Sequence, residues 1–210
     1  QADDAPTGKW EKVASKNGIN VFKKEIEGSP VIAFKGDGVI DAPILRVASV
    51  LVDATRNKEW MDRVVESEIV EVKSPTERIQ YSHIKTPTPL DDRDFVSHAK
   101  LVVDGPNKRL TFAIHSVAHA SKPERKGIVR GQLMGSSFLL VPVGADKTRV
   151  ITEFHADPKG DVPKFIVNMF QEDWPVNTIK GLRKQVGRVS DNAELKTIIE
   201  EKGFAFPLVF

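Results

Sequence analysis

Residues 93–117 read RDFVSHAKLVVDGPNKRLTFAIHSV. Two runs rich in Val, Phe, Ile and Thr, 93–103 and 109–117, flank Gly105-Pro106-Asn107. Gly and Pro punctuate turns, and β-branched and aromatic residues suit a pleated surface, so the stretch predicts a β-hairpin. Alternation along the first arm puts Arg93, Phe95, Ser97, Ala99 and Leu101 on one face. Asp94, Val96, His98 and Lys100 fall on the other. The first set is mostly apolar and is expected to look inward.

The same texture repeats on both sides. Runs at 64–72 and 78–85 precede the hairpin, and runs at 127–133, 136–143 and 148–156 follow it. Ser74-Pro75, Pro87 and Pro89, Lys122-Pro123, Gly135 and Gly144 separate them. These connections are too short for helical crossovers, which predicts a hairpin-connected antiparallel sheet. Further upstream, 19–26 and 31–40 read as two more strands around Gly28-Ser29-Pro30, with Gly36-Asp37-Gly38 as a bulge in the second. Trp10 and Val13 suggest a short amphipathic helix or turn.

Asp41 and Pro43 then open a helix whose Ile44, Val47, Ala48, Leu51 and Val52 form one apolar stripe. A second short helix is expected over 56–61, with Trp60 facing inward. Downstream, Asp157-Pro158-Lys159-Gly160-Asp161 turns into a helix from 162 to about 187, interrupted by Pro175, and a last short helix is expected over 191–202. A long sheet must bury its apolar face, and only the helix from 162 is long enough to cover it. The expected fold is α+β helix-grip, a curved antiparallel sheet wrapped around a long C-terminal helix with an internal cavity. The domain division is a tail at 1–8, one domain at 9–188 and an extension of unknown role at 189–210.

Composition narrows the chemistry. Lys and Arg total 31 against 29 Asp and Glu, a net charge of +2, which excludes polyanion binding driven by bulk charge; no nucleic-acid partner is expected. The absence of cysteine excludes disulfides, Cys-ligated zinc, iron–sulfur clusters and a thiol nucleophile. No apolar run approaches the roughly 20 residues of a membrane span, so the chain is expected to be soluble; a monomer is expected as well. The start Gln1-Ala2-Asp3-Asp4-Ala5-Pro6 resembles a mature end left by signal-peptide removal, which would place the chain in the periplasm or outside the cell. A boundary cut at a convenient place would instead leave it cytoplasmic, and both readings stay open.

The stretch Tyr81-Ser-His-Ile-Lys-Thr-Pro87-Thr-Pro89-Leu-Asp-Asp-Arg93-Asp94-Phe95-Val96 resembles the START lipid-transfer family, nearest its phosphatidylcholine transfer branch. Trp60 after the first helix, Lys126-Gly127-Ile128-Val129-Arg130, and Asp157 to Pro163 match family motifs in the same order, as does Pro175. The resemblance covers roughly 8–188. It implies a non-enzymatic protein that holds one lipid, of phospholipid or fatty-acyl type, in an internal cavity and touches membrane surfaces transiently. It departs from the sterol-binding branch: that branch's buried acid–arginine pair falls on Ser82 and Ala99 here.

On these strands the candidate lipid contacts are Ser82, Arg93, Phe95, Ser97, Arg130 and Gln132, joined by Phe165, Asn168 and Met169 on the long helix. An inward Arg93 needs an anion or acceptor, either a lipid phosphate or carboxylate, or Asp91 or Asp92 of its own loop. Arg130 and Gln132 could equally face water, and Asn168 could bond backbone. Lys180, Arg183 and Lys184 form a basic stripe, read as a solvated helix face or as a dock for anionic lipid. The lid is expected to be the helix 162–187 with the loop at Gly105-Pro106-Asn107. Neither cofactor nor metal is expected: His115 and His119 stand about 13 Å apart if strand-spaced. The alternatives are a helix-grip cyclase or hydrolase using His83, His155 or Glu153, and a ligand-sensing module.

Overall fold

The computed structural model describes residues 8–29 and 31–207, and of 164–171 the backbone alone. The sequence readings of Gln1–Pro6 and of the side chains of Phe165, Asn168 and Met169 fall outside the described residues.

Three strands open the chain: β1 (Glu11–Lys16), β2 (Ile19–Lys24) and β3 (Ala33–Ile40). Trp10 and Val13 therefore introduce a strand rather than a helix. Pro43 precedes α1 (Ile44–Val52), whose stripe Ile44, Val47, Ala48 and Leu51 is buried; a 3₁₀ turn, Ala54–Glu59, leads to inward-packed Trp60. The long meander follows as β4 (Val64–Ser74), β5 (Glu77–Ile84), β6 (Asp92–Asp104), β7 (Arg109–Ser116), β10 (Ser136–Val143) and β11 (Lys147–Phe154). Between β7 and β10 lie β8 (Ile128–Arg130) and β9 (Gln132–Leu133), and after β11 comes β12 (Ala156–Asp157). The helices α2 (Lys164–Gln185) and α3 (Ala193–Glu201) complete the chain.

The main sheet runs β1-β2-β3-β11-β10-β7-β6-β5-β4, with β8 pairing β6, and β12 pairs β9 apart from it. The meander is antiparallel as expected, but the run at 127–133 is not one of its strands. β8 lies parallel to β6. The chain then breaks at Gly131, whose position has no room for a Cβ beside the Phe95 ring.

The concave face contributes Phe34, Leu101, Phe112, Phe138 and Val150 to one core with α1, α2 and α3. Gly36 and Gly38 make no bulge: β3 pairs β11 in unbroken register from Phe34 to Ile40. Their missing side chains let α2 come close, since a Cβ on Gly36 would lie 2.7 Å from Pro175 and one on Gly38 3.4 Å from Ile179. Beyond residue 188, Leu195, Ile199 and Phe204 belong to the same core, and Asn192 caps α3 through Leu195 N–H (2.9 Å). The backbone N–H of Asn192 reaches Ser49 Oγ of α1 (2.9 Å).

Candidate functional site: a cavity under the long helix

A cavity of about 270 Å³ lies between the concave face and α2. Its walls are Ile84 and Phe95 from β5 and β6, Phe154 and Ala156, Val162, Trp174 and Leu90. The Phe154 and Trp174 rings stack 4.3 Å apart at 20°, and Phe138 packs on Trp174 at 6.2 Å. α2 extends its 22 residues for about 33 Å. Pro175 interrupts its hydrogen-bond ladder just beyond Trp174, because proline has no N–H. C-terminal to that break the helix is anchored by buried Val176, Ile179, Leu182 and Val186.

Arg93 lines the cavity and is 6% exposed. It meets no carboxylate among the described residues. Nε donates to the Pro158 carbonyl (3.2 Å), Nη2 to the Lys159 carbonyl (3.1 Å), and Nη1 to the Asp91 carbonyl. Burial lowers its pKa, partly opposed by Asp91 and Asp92. Arg93 thus fastens the turn that leads into α2 to the start of β6. Phe95 is a cavity wall. Ser97 (1% exposed) and half-buried Ser82 share that face, since Ser82 is in register with Phe95, but neither lines the cavity.

Arg130 is not a cavity residue. It forks onto Asp94, Nε to Oδ1 at 2.6 Å and Nη2 to Oδ2 at 3.1 Å, on the outer face of β6. The loop 117–131 covers that face over a small apolar cluster of Ile79, Tyr81 and Val96, so facing away from the cavity is not facing water. Gln132 is exposed on β9, opposite Asp157.

Sequence reading missed Arg78. On β5 it stands in register with Ala99, so the inner face does carry an arginine, one strand over from the position expected to lack it. It is 4% exposed, donates to the Leu51 carbonyl at the end of α1 (2.7 Å) and to Gln80 Oε1 (3.1 Å), and lies over the Phe112 ring. Burial pushes its pKa down to about 10.

The cavity mouth is not at Gly105, where a Cβ would lie 2.5 Å from the Gly203 carbonyl beyond α3. Ten residues of chain separate that turn from Phe95 in the cavity wall, about 33 Å along an extended strand. The loop bordering the cavity is 85–91, contributing Lys85, Thr86 and Leu90. Asp92 holds it: Oδ1 accepts Thr86 N–H (3.0 Å), and Oδ2 meets Lys85 Nζ (3.1 Å) and His83 Nε2 (2.9 Å). The Thr86 N–H is the main reason its pKa falls to about 2.

The basic stripe also divides. Arg183 ties α2 to the sheet, through the Val39 carbonyl (3.0 and 2.9 Å) and the Asn17 carbonyl (2.8 Å). Lys180, Lys184 and Arg188 are exposed along a groove beside Trp60.

A curved sheet gripping one long helix over a cavity defines the helix-grip fold. The START domain model matches residues 4–191, and the chain belongs to the START domain family. It is 24% identical over 179 residues to the mouse (Mus musculus) phosphatidylcholine transfer protein, covering 83% of this chain and 82% of that protein. A protein of Pseudomonas aeruginosa, PA1579, is 28% identical over 185 residues, 87% of this chain and 89% of that one. Among solved structures, a STAR-related lipid transfer protein fragment from Xanthomonas axonopodis has TM-score 0.75 at 31% identity, covering 85% and 98% of the two chains. Human STARD10 has TM-score 0.78 at 22% identity, covering 97% and 85%. A Streptomyces aromatase/cyclase shares the fold at TM-score 0.51, with 13% identity and 74% and 93% coverage.

Proposed function

We propose that this chain binds one acyl lipid, of phospholipid or fatty-acyl type, reversibly in the cavity under α2 and carries it between membrane surfaces without covalent chemistry. The observation that carries this reading is a cavity with a largely apolar wall lying under a helix that carries Pro175 in its interior. Each methylene moved from water to such a wall is worth about 0.8 kcal/mol, so an acyl chain supplies ample binding energy before ordering costs. At about 270 Å³ the cavity lies at the low end of small-molecule sites, roughly 300–1,000 Å³. A two-chain lipid therefore requires the N-terminal half of α2 to swing on Pro175.

The enzyme reading needs an acid or base aimed at the ligand. His83 is held between Glu66 (3.1 Å) and Asp92 (2.9 Å), and neither His155 nor Glu153 lines this cavity. The carboxylates that do line it, Asp62 and Asp173, are engaged by Asn177 and Lys16.

Mass spectrometry of lipids extracted from natively purified protein, with a vesicle-to-vesicle transfer assay, tests the proposal. One acyl lipid per chain and net transfer are expected. A chain that takes up no lipid, or converts it to a new product, would overturn it.

A further inference from the structure

The cavity under α2 shares part of its rim with a groove on the surface. Asp62 and Asn177 line both the cavity and this groove, which encloses about 250 Å³ beside the part of α2 that follows Pro175. The Asn177 amide donates to Asp62 Oδ2 (3.0 Å), so one hydrogen bond belongs to both walls. Gly181 also lines the groove and lets α2 lie against the Trp60 carbonyl, where a Cβ would have no room.

The charges of the groove are unevenly matched. Its two carboxylates, Glu59 and Asp62, already have partners. Arg56 forks onto Glu59 (2.8 and 2.7 Å) and Gln185 Nε2 donates to it (2.8 Å), which holds the Glu59 pKa at about 2. Arg188 adds a weaker attraction to the same carboxylate. Asp62 accepts from Asn177 and has Arg63 Nε at 3.7 Å. Lys180 and Lys184 are exposed, and neither meets a carboxylate among the described residues. Four residues apart on a helix, their Cβ atoms stand about 6 Å from each other, a spacing at which like charges repel. An anion between them relieves that repulsion, and the flexible lysine stems let both ammonium groups converge on it.

We propose that this groove docks the phosphate-monoester head of a lipid still in its bilayer, shared between Lys180 and Lys184, with Arg188 adding to the field. A phosphate monoester carries close to two negative charges at pH 7, one for each ammonium, whereas a phosphodiester carries one. A head held there sets the cavity rim at Asn177 and Asp62 against the membrane. The assignment rests on the reading of the chain as a lipid carrier; it names the bilayer lipid the carrier meets and the edge it presents.

Flotation of the full chain with phosphatidylcholine vesicles tests it, one set containing phosphatidic acid and the other phosphatidylglycerol, matched in surface potential. Tighter binding to the phosphatidic acid set is expected. Each lysine near a charged surface is worth about fivefold, so Lys180→Gln with Lys184→Gln should weaken that binding at least about tenfold and abolish the preference. Lys108→Gln, a charge lost from the exposed turn after β6, should bind as the parent does. All variants should keep the parental melting transition. Glycerol 3-phosphate in solution should bind far more weakly than the vesicles. Equal binding to both vesicle sets, a double variant that keeps the preference, or glycerol 3-phosphate binding as tight as the vesicles would overturn the assignment. A chain that prefers phosphatidic acid as described but extracts no lipid would overturn the carrier reading and leave the dock standing.

Discussion

Gly36 lies directly beneath Pro175: a β-carbon on the glycine would come within 2.7 Å of the proline Cβ. The break in α2 is therefore seated on the sheet at the one residue type that admits it. Gly36→Ala should push the helix off the strand and cost about 1–3 kcal/mol, the range for overpacking a filled core. Urea unfolding measures this; a variant as stable as the parent would show that the helix gives way freely.

Arg93 donates to three carbonyls at the entrance to α2. Hydrogen bonds from a charged group are worth about 1.5–3 kcal/mol each, so Arg93→Gln should lower stability by at least about 2 kcal/mol. It should also speed the exchange of neutral and phosphate-bearing lipids alike. Selective loss of phosphate-bearing lipids at unchanged stability would instead mark Arg93 as a headgroup contact.

Asp92 predicts an acid-side effect. Its folded pKa, about 2, is below the ordinary carboxylate value of 3.8, so its contribution is complete above that value and lost as pH falls towards 2. About 1–2 kcal/mol should disappear over that window after allowance for solvent screening. Stability measured from pH 5 to pH 2 should fall less steeply in Asp92→Asn; parallel curves would refute the assignment.

Membrane docking should follow the exposed cations and not Arg183. Lys180→Glu with Lys184→Glu should slow transfer from anionic vesicles, each basic residue near a charged bilayer being worth about 1 kcal/mol, and leave neutral vesicles unaffected. Arg183→Ala should lower the melting temperature instead. Equal slowing on both vesicle types would remove the electrostatic explanation.

The hairpin at 93–117 and the turn into α2 were readable because their signals are local: period-two alternation, Gly-Pro punctuation and a proline inside an apolar helix. The features that escaped depend on distant partners. β1 is an exposed edge, Glu-Lys-Val-Ala-Ser-Lys, and becomes a strand only by pairing with β2. The glycines of β3 look like a bulge until Pro175 and Ile179 arrive from the far end of the chain. Arg78, next to Glu77 after a turn, reads as a solvated charge; the Leu51 carbonyl, 27 residues earlier, draws it inside. Arg130 lies in neither of the two environments that strand alternation offers, cavity or water, because the loop 117–131 makes a third, where it forks onto Asp94.

The placement of α3 bears on how the molecule is made. Leu195, Ile199 and Phe204 fill the core beside α1, and the turn at Gly105 meets the Gly203 backbone. A ribosome extends the chain from its N-terminus, so every strand of the sheet leaves the exit tunnel while the seat for these three side chains is still open to water. The fold can close only once residue 204 has emerged. Until then the growing chain presents an apolar trough, which is the interval in which a holding chaperone would find it.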